Sequence, residues 1–304
     1  MTIYPFKIPL PFFPHELTGY GLMMMVAFLT GGWLITLELR RRGLAEDYSA
    51  DIIAAAVVGG VIGAKLWYVA LTRDPGTLFE RGGFVWYGGF LGGAAAVILN
   101  GWRLRVPIRW TMHVAAPALA AAYALGRVGC FLVNDDYGRP TSLPWAVKFP
   151  QGLPPSTAGN LQHLFGVPVP AGIPPSTVLA VHPTQLYETS IMLVAFFVLW
   201  AWRRRARPIG WLFGVYLVFA GAERFLIEIV RAKDDRFLGP FTLAQLTSVV
   251  LVVVGTYVMT LWRADPEPDP GAYLRGDKDL ALSKSETARQ DVGNKKVTSQ
   301  NQKL

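Results

Sequence analysis

Seven apolar blocks, each too long and continuous to be one face of a soluble helix, alternate along this chain with short clusters of charge. A hydrocarbon core takes about 20 predominantly apolar residues to cross, and only helices or closed barrels satisfy their own backbone inside it. The blocks run from about Tyr20 to Leu39, Ala50 to Leu71, Phe84 to Ile98 and Thr111 to Leu125, then from Pro183 to the arginines at 203–207, Trp211 to Val230 and Leu243 to Trp262. This pattern predicts an all-α integral membrane protein with seven transmembrane helices. Hydrophobic residues make up 52% of the chain and charged residues only 16%, which leaves no room for a soluble alternative.

The net charge of +8 does not point to nucleic acid, because the basic residues sit in short clusters between apolar blocks. Arg40–Arg42, Arg103 with Arg105 and Arg109, and Arg203–Arg205 with Arg207 follow the first, third and fifth blocks and are nearly free of acid. Links after the second, fourth and sixth mix signs, as in Arg73, Asp74, Glu80 and Arg81. The positive-inside rule then puts the amino terminus outside and the carboxy terminus in the cytoplasm. Met1 to Leu17, rich in proline and phenylalanine and including His15, reads as an interfacial segment, and the first span as an uncleaved anchor. Residues 1–263 form the expected seven-span catalytic domain, with a proline-rich external excursion over 139–181 between spans four and five. The polar stretch 264–304 reads as a disordered cytoplasmic tail. A single cysteine excludes an internal disulfide framework and a cysteine-clustered metal site, and neither a metal nor a cofactor is expected.

Polar residues break this pattern in a few places. Gly126 to Gly138 places Arg127 at membrane depth, where an arginine costs roughly 2.5–3.5 kcal/mol and is a functional residue by default. Arg224, Glu228 and Arg231 follow one another at i, i+4 and i+7, on one face of the sixth helix, with Glu223 beside them. Two guanidiniums converging from spans four and six, Arg127 and Arg224, form a fork suited to a lipid phosphate. Glu228 can equally be read as a salt bridge that fixes packing.

His182-Pro183-Thr184-Gln185-Leu186-Tyr187-Glu188 opens the fifth span at the same level, where helix N-terminal N–H groups favour anions. Thr184 and Glu188 also fit a capping and hydrogen-bond network. His182 is a candidate acid or base as well as a structural histidine; His113 and His163 carry no assignment. Tyr20 and Tyr87 sit beside glycines at the outer level, where interfacial tyrosines are common. Lys65 either pairs with a carboxylate or joins the lipid site. Cys130, flanked by apolar residues, reads as a buried small residue, not a nucleophile. Gly59, Gly60 and Gly63 allow close helix approach.

Taken together, the motifs resemble the prolipoprotein diacylglyceryl transferase family. Gly-Arg-x-Gly-Asn/Cys-Phe with its polar turn at 126–138 is similar to the family signature. Tyr20-Gly21-Leu22, Gly63-Ala64-Lys65-Leu66, the aromatic before Gly88-Gly89, the block at 182–188 and Arg224-Phe225-x-x-Glu228-x-x-Arg231 follow in the family's order. The resemblance covers about Tyr20 to Trp262. It implies transfer of the diacylglyceryl group of phosphatidylglycerol to the lipobox cysteine of prolipoproteins in the bacterial inner membrane, with glycerol phosphate released. It further implies Arg127 and Arg224 as lipid-phosphate residues and Tyr87 or His182 as the proton-handling group. Tyr20, Lys65, Asn134, Asp135, Gly138, Gln185, Glu188, Glu228 and Arg231 are the implied substrate-binding set. The chain departs from the family's common pattern in having Tyr87 where many members have histidine, Cys130 for asparagine, Asp135 for glutamate and Lys65 for arginine. Two other readings of the same residues are a small-solute transporter, for which internal repeats are wanting, and a non-catalytic phospholipid-binding membrane protein.

Overall fold

The computed structural model describes residues 1–9, 16–79, 82–232, 236–238, 241–263 and 266–277, with backbone alone for 236–238. His15, Glu80, Arg81, Asp234 and Asp235 lie outside the described residues. The long helices are α1 (Gly19–Arg41), α2 (Tyr48–Thr72), α3 (Trp86–Arg103), α4 (Ile108–Leu132), α6 (Thr184–Trp202), α7 (Trp211–Val230) and α8 (Leu243–Leu261), with short α5 (Ala158–His163) and α9 (Gly271–Leu274). Three small antiparallel ladders accompany them: β1 (Lys7–Pro9) with β2 (Glu16–Thr18), β3 (Val147–Lys148) with β4 (Ala180–Val181), and β5 (Arg236–Leu238) with β6 (Phe241–Thr242).

Five helices, α1, α2, α4, α6 and α8, are long and apolar enough to cross a membrane, so the chain is a helical multi-pass membrane protein. Helices α3 and α7 stand where two further spans are expected but fall outside that group; α7 carries Glu223, Arg224 and Glu228. Val249, Val250, Val253 and Tyr257 of α8 are exposed, as side chains facing lipid are.

The chain divides into two compact units. The first comprises Met1–Gly31 and Ala115–Pro266. Its helical core packs Ala116, Ala120 and Ala124 of α4 against Met192, Ala195 and Leu199 of α6 and Leu212 and Val215 of α7. Small residues on α4 let these helices close in, and Thr189 of α6 donates to the Ala124 carbonyl at 3.3 Å. Helices α7 and α8 meet through glycine: a Cβ on Gly214 would lie 2.6 Å from the Gly255 oxygen, and one on Gly221 2.6 Å from the Ser248 oxygen. α8 begins with a capping box in which Thr242 and Gln245 satisfy each other's backbone N–H groups.

The expected excursion is folded. Tyr137, Val147, Phe149, Leu161, Val167 and Val181 form a second apolar core, and Thr157 caps α5 by accepting from Asn160 N. The amino-terminal residues are built into it: Ile3 N donates to Lys148 O at 3.0 Å and Lys148 N to Met1 O at 2.8 Å. A segment read as interfacial therefore has a tertiary role, because its backbone completes a ladder edge.

The second unit comprises Gly32–Val114 and the described residues from Glu267. Helices α2 and α3 approach backbone to backbone, since a Cβ on Gly59 would lie 2.5 Å from the Gly92 oxygen and one on Gly63 2.8 Å from the Gly92 Cα. Buried Glu38 holds Arg41 at 2.6 Å and Arg42 at 2.7 Å, and Arg42 Nη2 meets His113 Nε2 at 2.7 Å. Residues 266–277 do not match the disorder expected of them: Tyr273 and Leu274 are buried, Trp110 Nε1 donates to Pro268 O at 2.9 Å and Ala45 N to Leu274 O at 2.8 Å. Two buried side chains and these hydrogen bonds hold the polar stretch.

Candidate functional site

The stretch expected to close span four behaves differently in its two halves. Helix α4 continues through Arg127 and Cys130 to Leu132, seven residues past the expected end at Leu125, so Arg127 projects from a helix and not from a turn. The chain then reverses through Asn134 and Asp136, both in the left-handed region at φ 62° and 60°. Asn134 is fully buried and donates Nδ2 to Ile3 O at 3.0 Å. Short polar side chains tolerate that backbone conformation, which is why this turn is built from Asn and Asp.

Two left-handed residues aim the Asp136 side chain back at α4. Its carboxylate pairs with Arg127 Nη1 at 3.0 Å and with Arg231. Arg127 Nε pairs with Glu188 of α6, whose side chain is fully buried. On α7, Arg224 Nη2 pairs with Glu228 at 2.6 Å. Arg231 is not on the face shared by Arg224 and Glu228; α7 ends at Val230, and Arg231, with extended backbone, reaches Asp136 instead. Glu223, also on α7, accepts from Tyr123 of α4 at 3.3 Å and lies within electrostatic reach of Arg127, Arg224 and Arg231. Arg127, Arg224 and Arg231 thus belong to one charged cluster in which each guanidinium is held by a carboxylate. Such pairs fix orientation while leaving other N–H donors of the fork open.

The start of α6 fastens the turn. Thr184 Oγ1 donates to Asp136 O at 2.6 Å, and Gln185 Nε2 donates to Asp135 O. These side chains therefore hold the loop backbone. Asp135 has its Oδ1 taken by Asp136 N at 2.7 Å, and burial raises its carboxyl above the ordinary range. Gly138 sits where three segments cross: its N–H donates to His182 O at 2.8 Å, and its neighbour Arg139 N donates to Val230 O at 2.8 Å. His182 Nδ1 meets Tyr187 OH at 3.2 Å, and burial lowers its pKa, which favours the neutral imidazole. Tyr20 packs on α4 at Gly129, where an added Cβ would come 3.3 Å from the tyrosine Cα. Cys130 is buried, with Arg127 Nη1 3.5 Å from its Sγ.

Lys65 and Tyr87 belong to the second unit. Lys65 Nζ donates to Gly82 O at 2.5 Å and Thr77 O at 3.4 Å and lies over the Phe84 ring. Tyr87 opens α3, is 53% exposed, and touches Trp86 edge to face. Asp136 and Tyr123 were absent from the sequence-derived set, and Glu223 was noted only as the neighbour of Arg224. Asp136 is adjacent in sequence to Asp135, and only the turn geometry selects between them. Tyr123 stands one helical turn before Arg127 in an alanine-rich helix, and that polar residue at i−4 was the available signal.

Burial raises the Asp136 carboxyl, but Arg231 and Arg127 outweigh it and hold the group below the usual carboxylate range. A folded value below the unfolded one, about 3.9, stabilises the fold fully above about pH 4 and is lost as the pH falls through the folded value. Asp136→Asn is expected to cost roughly 1.5–3 kcal/mol at neutral pH in denaturant unfolding. The gap to the unsubstituted protein should close below about pH 4. A gap constant with pH would show that the charge is not what Asp136 contributes.

Comparison with known proteins identifies the family. The family model described as prolipoprotein diacylglyceryl transferase matches residues 7–261. Phosphatidylglycerol–prolipoprotein diacylglyceryl transferase of Clostridium tetani is 30% identical over 258 residues, covering 83% of this chain and 95% of that protein. The proteins of the same description from Geobacter sulfurreducens and Paraburkholderia phymatum are 31% and 33% identical, covering 81% and 82% of this chain and 91% and 90% of their own lengths. With the match running from the first ladder to the end of α8 and taking in every residue of the charged cluster, the chain belongs to the prolipoprotein diacylglyceryl transferase family.

Proposed function

We propose that this protein transfers the diacylglyceryl group of phosphatidylglycerol to the cysteine thiol of a prolipoprotein lipobox, making a thioether and releasing glycerol phosphate. The observation that carries the reading is the carboxylate-held guanidinium cluster at the ends of α4 and α7. Sulfur attacks the glyceryl carbon, the carbon–oxygen bond breaks, and its electron pair goes to the phosphate oxygen. Charge therefore grows on the phosphate, where Arg127 and Arg224, already oriented, stabilise it without reorganising. A thiol with a pKa of about 8.5 must also lose its proton, and an arginine that stays protonated cannot take it. Tyr87 and His182 complete the catalytic set as groups able to carry a proton.

Tyr20, Lys65, Asn134, Asp135, Gly138, Gln185, Glu188, Glu228 and Arg231 make the substrate-binding set, some by shaping the turn and some by holding the guanidiniums. In this reading α3 and α7 also cross the membrane, giving seven spans in a bacterial inner membrane. The amino terminus and the folded 139–181 segment are periplasmic, and the chain beyond Arg263 is cytoplasmic. Phosphatidylglycerol then enters from the bilayer and the lipobox peptide from its own membrane anchor.

The test is direct. Purified protein with phosphatidylglycerol and a lipobox peptide should yield a peptide heavier by one diacylglyceryl group, and Arg224→Ala should lower the rate by about 10²–10³-fold, the scale of losing one charge-stabilising donor. A peptide mass that never changes in any lipid or detergent would end the transferase reading.

A further inference from the structure

Resting on the transferase reading, we infer that the Tyr123–Glu223 pair, in place of Tyr87 or His182, is the first acceptor of the proton that the substrate thiol gives up. Glu223 is 1% exposed, and its Oε2 accepts from the Tyr123 hydroxyl at 3.3 Å. Its Oε1 is buried with no hydrogen-bond partner among the described residues, as are Glu188 Oε1 and Glu228 Oε1, but those two carboxylates are ion-paired with Arg127 and Arg224 whereas Glu223 is in no ion pair among the described residues. The other carboxylates of the cluster are committed: Asp136, Glu188 and Glu228 to guanidiniums, Asp135 to a backbone N–H. Protonating any of the first three breaks a charge pair with an arginine. Protonating Glu223 breaks none, and an orphaned buried oxygen is costly until something fills its lone pair.

Glu223 is buried and its Oε2 meets the Tyr123 hydroxyl, so in this inference that hydroxyl takes the proton from the thiol and Glu223 acts through it. Arg127 and Arg224, which hold the phosphate in the proposed reaction, lie within electrostatic reach of the Tyr123 ring hydroxyl. The step balances. The thiol proton passes to the Tyr123 oxygen as the phenolic proton passes to Glu223 Oε2; sulfur bonds to the glyceryl carbon, and the carbon–oxygen pair leaves with the phosphate. The proton then returns through Tyr123 to the released glycerol phosphate. Charged and titratable groups facing Glu223 are Tyr123 and Arg127 from α4, Tyr216 and Arg224 from α7 and Arg231 beyond it, with Glu188 of α6 joined through Arg127.

The experiment measures kcat and KM for phosphatidylglycerol and a lipobox peptide from about pH 6 to pH 9, on the full chain in lipid-supplemented detergent. Glu223→Gln, close to isosteric, is expected to lower kcat by about 10²-fold or more near pH 7, the scale of general base catalysis. KM for phosphatidylglycerol should change little, and the deficit should shrink as the pH passes the thiol's own value of about 8.5. A merely structural role would lower the rate equally at every pH, and either that flat loss or an unchanged kcat overturns the inference. Should melting show that Glu223→Gln does not fold, Tyr123→Phe decides. It keeps the carboxylate and removes the relay, so the same loss with alkaline recovery is expected, and an unchanged or pH-independent rate overturns the proposal. No transfer by the unsubstituted protein would instead refute the transferase reading itself.

Discussion

Arg127→Ala is expected to abolish diacylglyceryl transfer, by about 10³-fold or more, and to destabilise the protein by about 3–5 kcal/mol. Both effects come from its position. Its side chain is 14% exposed and joins Asp136 at the turn to Glu188 on α6, which is fully buried. Removing the guanidinium leaves the Glu188 carboxylate without its counter-charge in the interior, the costly half of breaking a buried pair. Stability and catalysis can be separated by substituting both partners. Arg127→Leu combined with Glu188→Leu removes the charges together, so it should recover most of the unfolding free energy while transfer stays absent. Recovery of activity in the double variant would show that Arg127 acts only by neutralising Glu188.

Gly138→Ala is expected to lower the transfer rate by about 10²-fold although it adds one methyl group and touches no charge. A Cβ there would lie 2.6 Å from Val230 O, 2.7 Å from His182 Cβ and 2.8 Å from Thr184 Cγ2. Backbone cannot yield as a side chain can, so the crossing of the 137–139, 181–182 and 230–232 segments must open. The segments it moves carry Asp136, His182 and Arg231, and displacements near 1 Å are enough for such a loss. Overpacking should also cost about 1–3 kcal/mol. Gly126→Ala makes the contrast within the same stretch: its added Cβ would meet Met24 Sδ at 4.0 Å, an ordinary contact, and stability should hold to within about 1 kcal/mol. Equal losses at the two glycines would mean that packing at 138 is not the cause.

These two residues show how the site divides between sequence and structure. Arg127 was legible because a cation in an apolar block is expensive, and cost alone marks it. Gly138 could be noted within its motif, but its role is a three-way backbone crossing that no local pattern encodes. Arg231 illustrates the opposite error. Helical spacing put it on the face of Arg224 and Glu228, whereas α7 stops at Val230 and the next residue turns to Asp136. The segment 266–277 is similar, since a polar composition reads as disorder until Tyr273 and Leu274 find a surface to bury against.

By itself the sequence determined that the chain enters a membrane as helices and that a few charged residues must be compensated there. It also determined, through the order of its motifs, the family. Those features follow from transfer costs and residue types, which are local. Apart from Arg224–Glu228, four residues apart on one helix, which carboxylate meets which guanidinium was decided by the tertiary structure: two left-handed residues at Asn134 and Asp136 select Asp136 over Asp135, and the packing of α4 against α7 puts Tyr123 on Glu223. Charge pairing depends on distance and direction across elements far apart in the chain, and only the folded backbone supplies them.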